Sequence, residues 1–210
     1  MQPTTEQWAR SLNVSTALTP PAIAGHGEPC RFSASEIATR AVLLQGVVAA
    51  ACGVDPEPIV QWLKDQPIWH AASPSECTFL MNSTAARSEQ ILKMRWRQEA
   101  EWALLWVVGK IEHLGLPTRQ CDTRRLVDEI MPALGADIEP FLATAKLRSP
   151  GELLAEVDRH YDLWCGYFQT RRKEPSLLPS DLNLQVLFQR QYAFEWLEGN
   201  DAWDEVRCDA

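Results

Sequence analysis

Residues 96–109 constrain this chain more than any other stretch. They read Trp96, Arg97, Gln98, Glu99, Ala100, Glu101, Trp102, Ala103, Leu104, Leu105, Trp106, Val107, Val108 and Gly109. The pattern predicts one long helix over residues 88–114. Trp96, Ala100, Ala103, Leu104, Val107, Ile111 and Leu114 form an apolar stripe at helical spacing, while Trp102, Leu105 and Trp106 lie off that stripe. A helix apolar around most of its girth must be buried between other elements, so the fold is expected to be built around this segment.

The rest of the chain supplies helices to surround it. Ser33-Ala34-Ser35-Glu36, Ser73-Pro74-Ser75-Glu76 and Ser149-Pro150-Gly151-Glu152 each read as a capping box, in which a Ser hydroxyl and a Glu carboxylate satisfy each other's backbone N–H groups. The first opens a helix with Ile37, Ala41, Leu44 and Val48 on one face, ended by Cys52-Gly53. Pro56 or Pro58 starts the next. Asp122 or Thr123 caps a helix through Ile130, and further helices are expected over residues 150–170 and 181–198. The segments after the three capping boxes do not align, so no internal repeat is read. No alternating strand pattern and no hairpin dipeptide joins two β-like runs. The expectation is an all-α fold, a single multi-helix domain of about six to eight helices over residues 33–210. An N-terminal arm over residues 1–32 packs on it, with a short helix carrying Trp8 and Leu12 and then an extended stretch around Pro20-Pro21.

Charge narrows the function classes. The net charge is −8, which disfavours nucleic acid as a partner, since such binding neutralises phosphates with Lys and Arg. Six acidic residues crowd residues 195–210 against Arg207 alone. An acidic patch suits a basic protein partner, and a solvated tail is the plainer reading. The six cysteines are scattered with no CxxC and no zinc-type spacing, and residues 1–8 show no secretory n-region or h-region. Reduced thiols and a cytoplasmic location are expected. The longest apolar run, residues 41–52, is too short to span a membrane.

Taken in order, the pieces resemble the family catalogued as domain of unknown function 4272. They are Glu36-Ile37-Ala38-Thr39-Arg40-Ala41, Trp62-Leu63, Ser73-Pro74-Ser75-Glu76 with Phe79-Leu80, and the core from Trp96-Arg97 through Glu99-Ala100 to Leu105-Trp106 and Gly109. They continue through Cys121-Asp122, Leu147-Arg148-Ser149, Glu152, Asp158, Tyr161 and Trp164. They end with Arg190, Tyr192-Ala193, Trp196-Leu197, Trp203-Asp204-Glu205-Val206 and Asp209. The chain departs from the pattern at Leu163-Trp164-Cys165, where no His stands beside the Trp. The resemblance implies a helical fold and carries no assigned activity.

Candidate sites follow from the polar residues set among the tryptophans. Arg97 with Glu101, and Arg95 with Glu99, stand at i,i+4 spacing and are expected to pair. Asp158, Arg148 and Arg190 are candidates to join them in a buried network. Such a network serves helix register. Alternatively it lines a ligand pocket of Trp96, Arg97, Glu99, Trp106, Asp158 and Arg190. Acid–base work by paired carboxylates is the least supported use. Glu152, Glu156 and His160 share a helix face, but no second helix offers matching ligands, so no metal site is assigned. Cys121, ahead of a helix start, is a candidate for a stabilised thiolate, although a packed thiol is the plainer reading. No nucleophile signature or Gly-rich phosphate loop is present, so no catalytic residue and no cofactor is assigned. The leading expectation is a non-enzymatic protein-binding module, in its sharpest form an immunity-type inhibitor of a basic toxin or enzyme in a bacterium. It would use Glu198, Asp201, Trp203, Asp204 and Glu205, with Trp203 exposed. The alternative is an enzyme or small-molecule binder using the inter-helix pocket.

Overall fold

The computed structural model describes residues 30–82, 85–178, 180–199 and 201–209. Among these the chain forms eight α-helices and no strand. They are α1 Ala34–Ala51, α2 Pro56–Asp65, α3 Pro74–Met81, α4 Ser88–Val107, α5 Thr123–Arg125, α6 Glu139–Ala143, α7 Pro150–Lys173 and α8 Leu184–Glu198. The helix expected around Trp8 and the extended stretch at Pro20-Pro21 lie outside the described residues.

Local chemistry starts these helices where the sequence places them. All three capping boxes form. Ser33, Ser73 and Ser149 accept from the N–H of Glu36, Glu76 and Glu152, and each glutamate accepts from its serine N–H in return. At the start of α2, Asp55 accepts from the Glu57 N–H at 3.1 Å. Cys52 is the C-cap of α1, and Gly53 follows with φ +96°. Asp122 caps α5, accepting from the Arg125 N–H at 3.1 Å, and α5 runs straight into a π-helical turn, Leu126–Ile130.

Two boundaries differ from expectation. The central helix α4 ends at Val107, well before Leu114. Gly109 takes φ +70°, its N–H reaches the Trp106 carbonyl, and the Lys110 N–H reaches the Leu105 carbonyl at 2.9 Å. That pair of bonds is the Schellman arrangement, which closes a helix once a residue can adopt the left-handed region. Ile111 and Leu114 are buried nonetheless, as loop residues. The last helix starts at Leu184 because the Asn183 side chain accepts from the N–H groups of Gln185 and Val186. The sequence reading missed α6 and the single turn Trp203–Glu205.

α1 and α4 form the centre, with α8 packed on α4 and α7 packed on α8. α1 is buried almost all round, and at Gly46 its backbone meets α2 closely: a Cβ there would lie 2.9 Å from Ile59 Cγ2. By length and hydropathy α1 is the one described helix apolar enough to cross a membrane, but 72% of that window is buried inside the fold, and it serves as the core helix. Trp62, Leu63, Trp102, Leu104, Leu105, Phe194 and Trp196 share its cluster, and a smaller cluster forms around Leu163, Trp164 and Leu187.

Candidate binding groove between α4 and α8

The first half of α4 packs Ile91 and Met94 on the core and leaves another face exposed or half-buried. There Glu89, Leu92, Lys93 and Trp96 follow i, i+3, i+4, i+7 spacing, which places them on one helix face. On α8, Gln185, Phe188, Gln189 and Tyr192 repeat the same spacing. The two faces enclose a groove of about 430 Å³, completed by Arg97, Asp204 and Val206. That volume falls in the range of small-molecule sites.

Arg97 is the distinctive residue of this groove. Only 3% of it is exposed, and no carboxylate pairs with it among the described residues. One Nη donates to the neutral Gln189 Oε1 at 3.3 Å, and Nε has no partner. Its guanidinium instead lies 4.0 Å from the centroid of the Tyr192 ring and 5.2 Å from that of Trp203. Ring faces attract a cation but do not replace an ion pair. The expected pair with Glu101 does not form. Glu101 Oε1 is buried without a partner, and burial pushes its carboxyl well above the ordinary range. Burial also raises the Tyr192 hydroxyl, against the pull of Arg97.

Asp204 is an acidic neighbour in the groove, and it is already committed. Its carboxylate accepts from the Ser73 hydroxyl, the Ser75 N–H and the Ser75 hydroxyl at 2.7–2.8 Å. Partial burial works against this charge, but the serine bonds, with the Arg97 charge, outweigh it and hold the carboxyl below its ordinary value.

The remaining candidate pocket residues fall elsewhere. Glu99 pairs with Arg190 rather than Arg95: Nε and Nη of Arg190 lie 3.1 and 3.0 Å from Glu99 Oε2. The other Glu99 oxygen accepts from the Cys121 N–H, and the second Nη of Arg190 donates to the Gly115 carbonyl at 2.7 Å. This pair is closed and satisfied, and it ties α4, α8 and the loop between α4 and α5 together. Trp106 packs edge-on against Phe194 beneath the Arg148 guanidinium. Arg148 joins no buried network. It donates to the carbonyls of Trp106, Ile111 and Glu112, satisfying the end of α4. Asp158 stands on α7, away from the groove, with its carboxyl raised by partial burial.

The five acidic-end candidates do not make one outward face, and Trp203 is not exposed. Its ring is 95% buried, with the Arg40 guanidinium 4.1 Å from its centroid, and it meets Tyr192 and Trp196 edge-on. The Tyr192 hydroxyl donates to the Trp203 carbonyl. Arg40 in turn pairs with the buried Glu76. A large aromatic gains more from this site than from water, so the tail is drawn in. Asp204 turns onto α3 as described. Glu198 is half-buried, and burial together with Glu195 and Asp158 pushes its carboxyl up to about 7. Asp201 and Glu205 are exposed and outside any ion pair among the described residues, whereas Asp204, also exposed, is spent on the serines of α3.

Two further sequence candidates lie within the packed body. Glu156 and His160 meet within α7, with His160 fully buried against Phe194. Among the described residues no group of three His, Cys, Asp or Glu is placed to hold a metal ion. The Cys121 thiol is pushed upward by burial and then by Glu99, so the helix start does not stabilise a thiolate there.

The sequence reading named Trp96 and Arg97 but missed Lys93, Gln185, Phe188, Gln189 and Tyr192. Their matching helical spacing was the available signal, although nothing local says that two such faces meet.

Among the described residues, the fold and the groove define an all-helical protein with a buried arginine that makes no salt bridge, at a small-molecule-sized cleft. The chain belongs to the family described as Domain of unknown function (DUF4272), whose profile matches residues 1–206. Comparison with curated proteins and with solved structures returns no match.

Proposed function

We propose that this is a non-catalytic binding protein whose recognition site is the groove between α4 and α8. The observation that carries this reading is Arg97, a buried cation on the groove's lining that makes no salt bridge among the described residues and keeps an unpartnered Nε, with Asp204 acting on it only through its charge. A buried charge ordinarily has its counter-charge at hand, and a bound ligand would supply one. The groups around it favour binding over chemistry. Asp204 is held ionised by three hydrogen bonds, and burial raises the Cys208 thiol to about 12, so neither is poised to exchange a proton near neutrality. Cys52, Cys77, Cys121, Cys165 and Cys208 are free thiols, which suits a cytoplasmic setting. The test is a small-molecule screen read by Trp fluorescence on the wild type and on Trp96→Ala. Hits that depend on Trp96 support the reading; hits indifferent to it, or none, overturn it.

A second reading keeps a basic protein partner, of the kind an immunity-type inhibitor would have. Exposed Asp201 and Glu205, free of ion pairs among the described residues, favour it. Charge reversal at Asp201 and Glu205 should weaken a salt-sensitive complex; unchanged affinity would remove this surface from consideration.

A further inference from the structure

We infer that the groove selects a small, singly charged, planar carboxylate, an aromatic acid. This rests on the groove being the recognition site. The guanidinium of Arg97 is the only buried cation on its lining, and the aromatic contacts with Tyr192 and Trp203 fix where it sits. A planar guanidinium and a planar carboxylate match two bonds to two oxygens. The bond Arg97 makes to Gln189 is 3.3 Å long, long enough for a charged acceptor to displace it. Lys93, one helical turn earlier on the same face and exposed, adds a second cation at the mouth.

The apolar walls select the rest of the ligand. Trp96 and Phe188 are half-buried, Leu92 is 55% exposed, and Val206 closes the far side. Flat rings against such walls bury apolar area with little loss of side-chain freedom. The charge pattern also selects against higher charge. Glu89 and Asp204 both line the groove, and a phosphate dianion would meet two carboxylates where a monoanion can face Arg97 and Lys93.

The experiment titrates the full chain with 2-naphthoate, its neutral amide 2-naphthamide, and inorganic phosphate, read by calorimetry and Trp fluorescence. Naphthoate should bind saturably, with naphthamide and phosphate each about tenfold or more weaker, because a charge-assisted bond is lost or mismatched. Binding should weaken with salt, and Lys93→Glu and Trp96→Ala should both reduce it. Arg97→Met should abolish it. Lys93 and Trp96 keep the test independent of whether that buried substitution folds. Equal binding of naphthoate and naphthamide, both lost in Trp96→Ala, overturns the acid class while leaving the groove as the site. Phosphate binding more tightly than naphthoate overturns the acid class likewise. No binding by any probe, or binding untouched by Trp96→Ala and Lys93→Glu, overturns both readings.

Discussion

Glu101 offers the sharpest quantitative test of the core. It sits on α4 with 1% of its surface exposed, Oε1 lacks any partner, and burial pushes its carboxyl well above the ordinary 4.5. In the folded protein it holds a proton that the unfolded chain gives up. Between 4.5 and the folded value the native state therefore binds more protons than the unfolded one. Stability must fall as pH rises through that window, by about 1.4 kcal/mol per pH unit for one such group. Against a typical total stability of about 5–15 kcal/mol, a loss at that rate is readily measured. Glu101→Gln keeps the shape and cannot ionise. The measurement is urea unfolding of both proteins at about pH 5, 6 and 7, with the variant's stability taken relative to wild type at each pH. Burial also raises Asp158, Asp162, Glu195 and Glu198, but these are common to both chains and cancel in the difference. The difference should climb in favour of Glu101→Gln as pH rises. Parallel stability profiles would refute the assignment of a protonated Glu101.

Three other substitutions probe the packing. Arg190→Met leaves the Glu99 carboxylate buried without its cation and should cost about 3–5 kcal/mol in urea unfolding; adding Glu99→Gln should return part of that loss, and strict additivity would mean the two are not coupled. Trp203→Ala empties the site against Arg40 and Arg97 and should cost about 3–5 kcal/mol, with Trp203→Phe losing clearly less; a loss within the ordinary surface range would show that the tail is not held as described. Gly46→Ala drives a Cβ to 2.9 Å from Ile59 Cγ2 and should destabilise by about 1–3 kcal/mol, visible as a lowered melting temperature; an unchanged or raised midpoint would refute the close approach of α1 and α2.

What was legible in the sequence was what local chemistry decides. Ser33, Ser73 and Ser149 start helices because each box needs only residues three apart, and α4 reads as central because tryptophans and leucines surround it. The errors share one physical cause. Spacing of i,i+4 paired Arg97 with Glu101 and Arg95 with Glu99, whereas Glu99 found Arg190, 91 residues away. A neighbour on one helix gains only about 0.2–0.5 kcal/mol from pairing, too little to compete with a partner delivered into the dry interior. Arg148 was offered to an ion network, whereas it binds the carbonyls of Trp106, Ile111 and Glu112 in the last turn of α4 and the loop beyond it. The two faces of the groove were each visible as helical spacing, but their meeting is a product of packing. Trp203 was hidden by its company: six acids around one ring read as a solvated tail, and a single indole outweighed them.

The position of Trp203 also orders events in time. Arg40 and Arg97 leave the ribosome early, on α1 and α4, and the ring that lies against both is added roughly a hundred residues after Arg97. Until then those guanidiniums have no cover on that side and the N-cap of α3 has no Asp204 to hold. A chain that ends just past α8 would therefore keep its central helix packing but lack both the ring over the two guanidiniums and the carboxylate that binds Ser73 and Ser75.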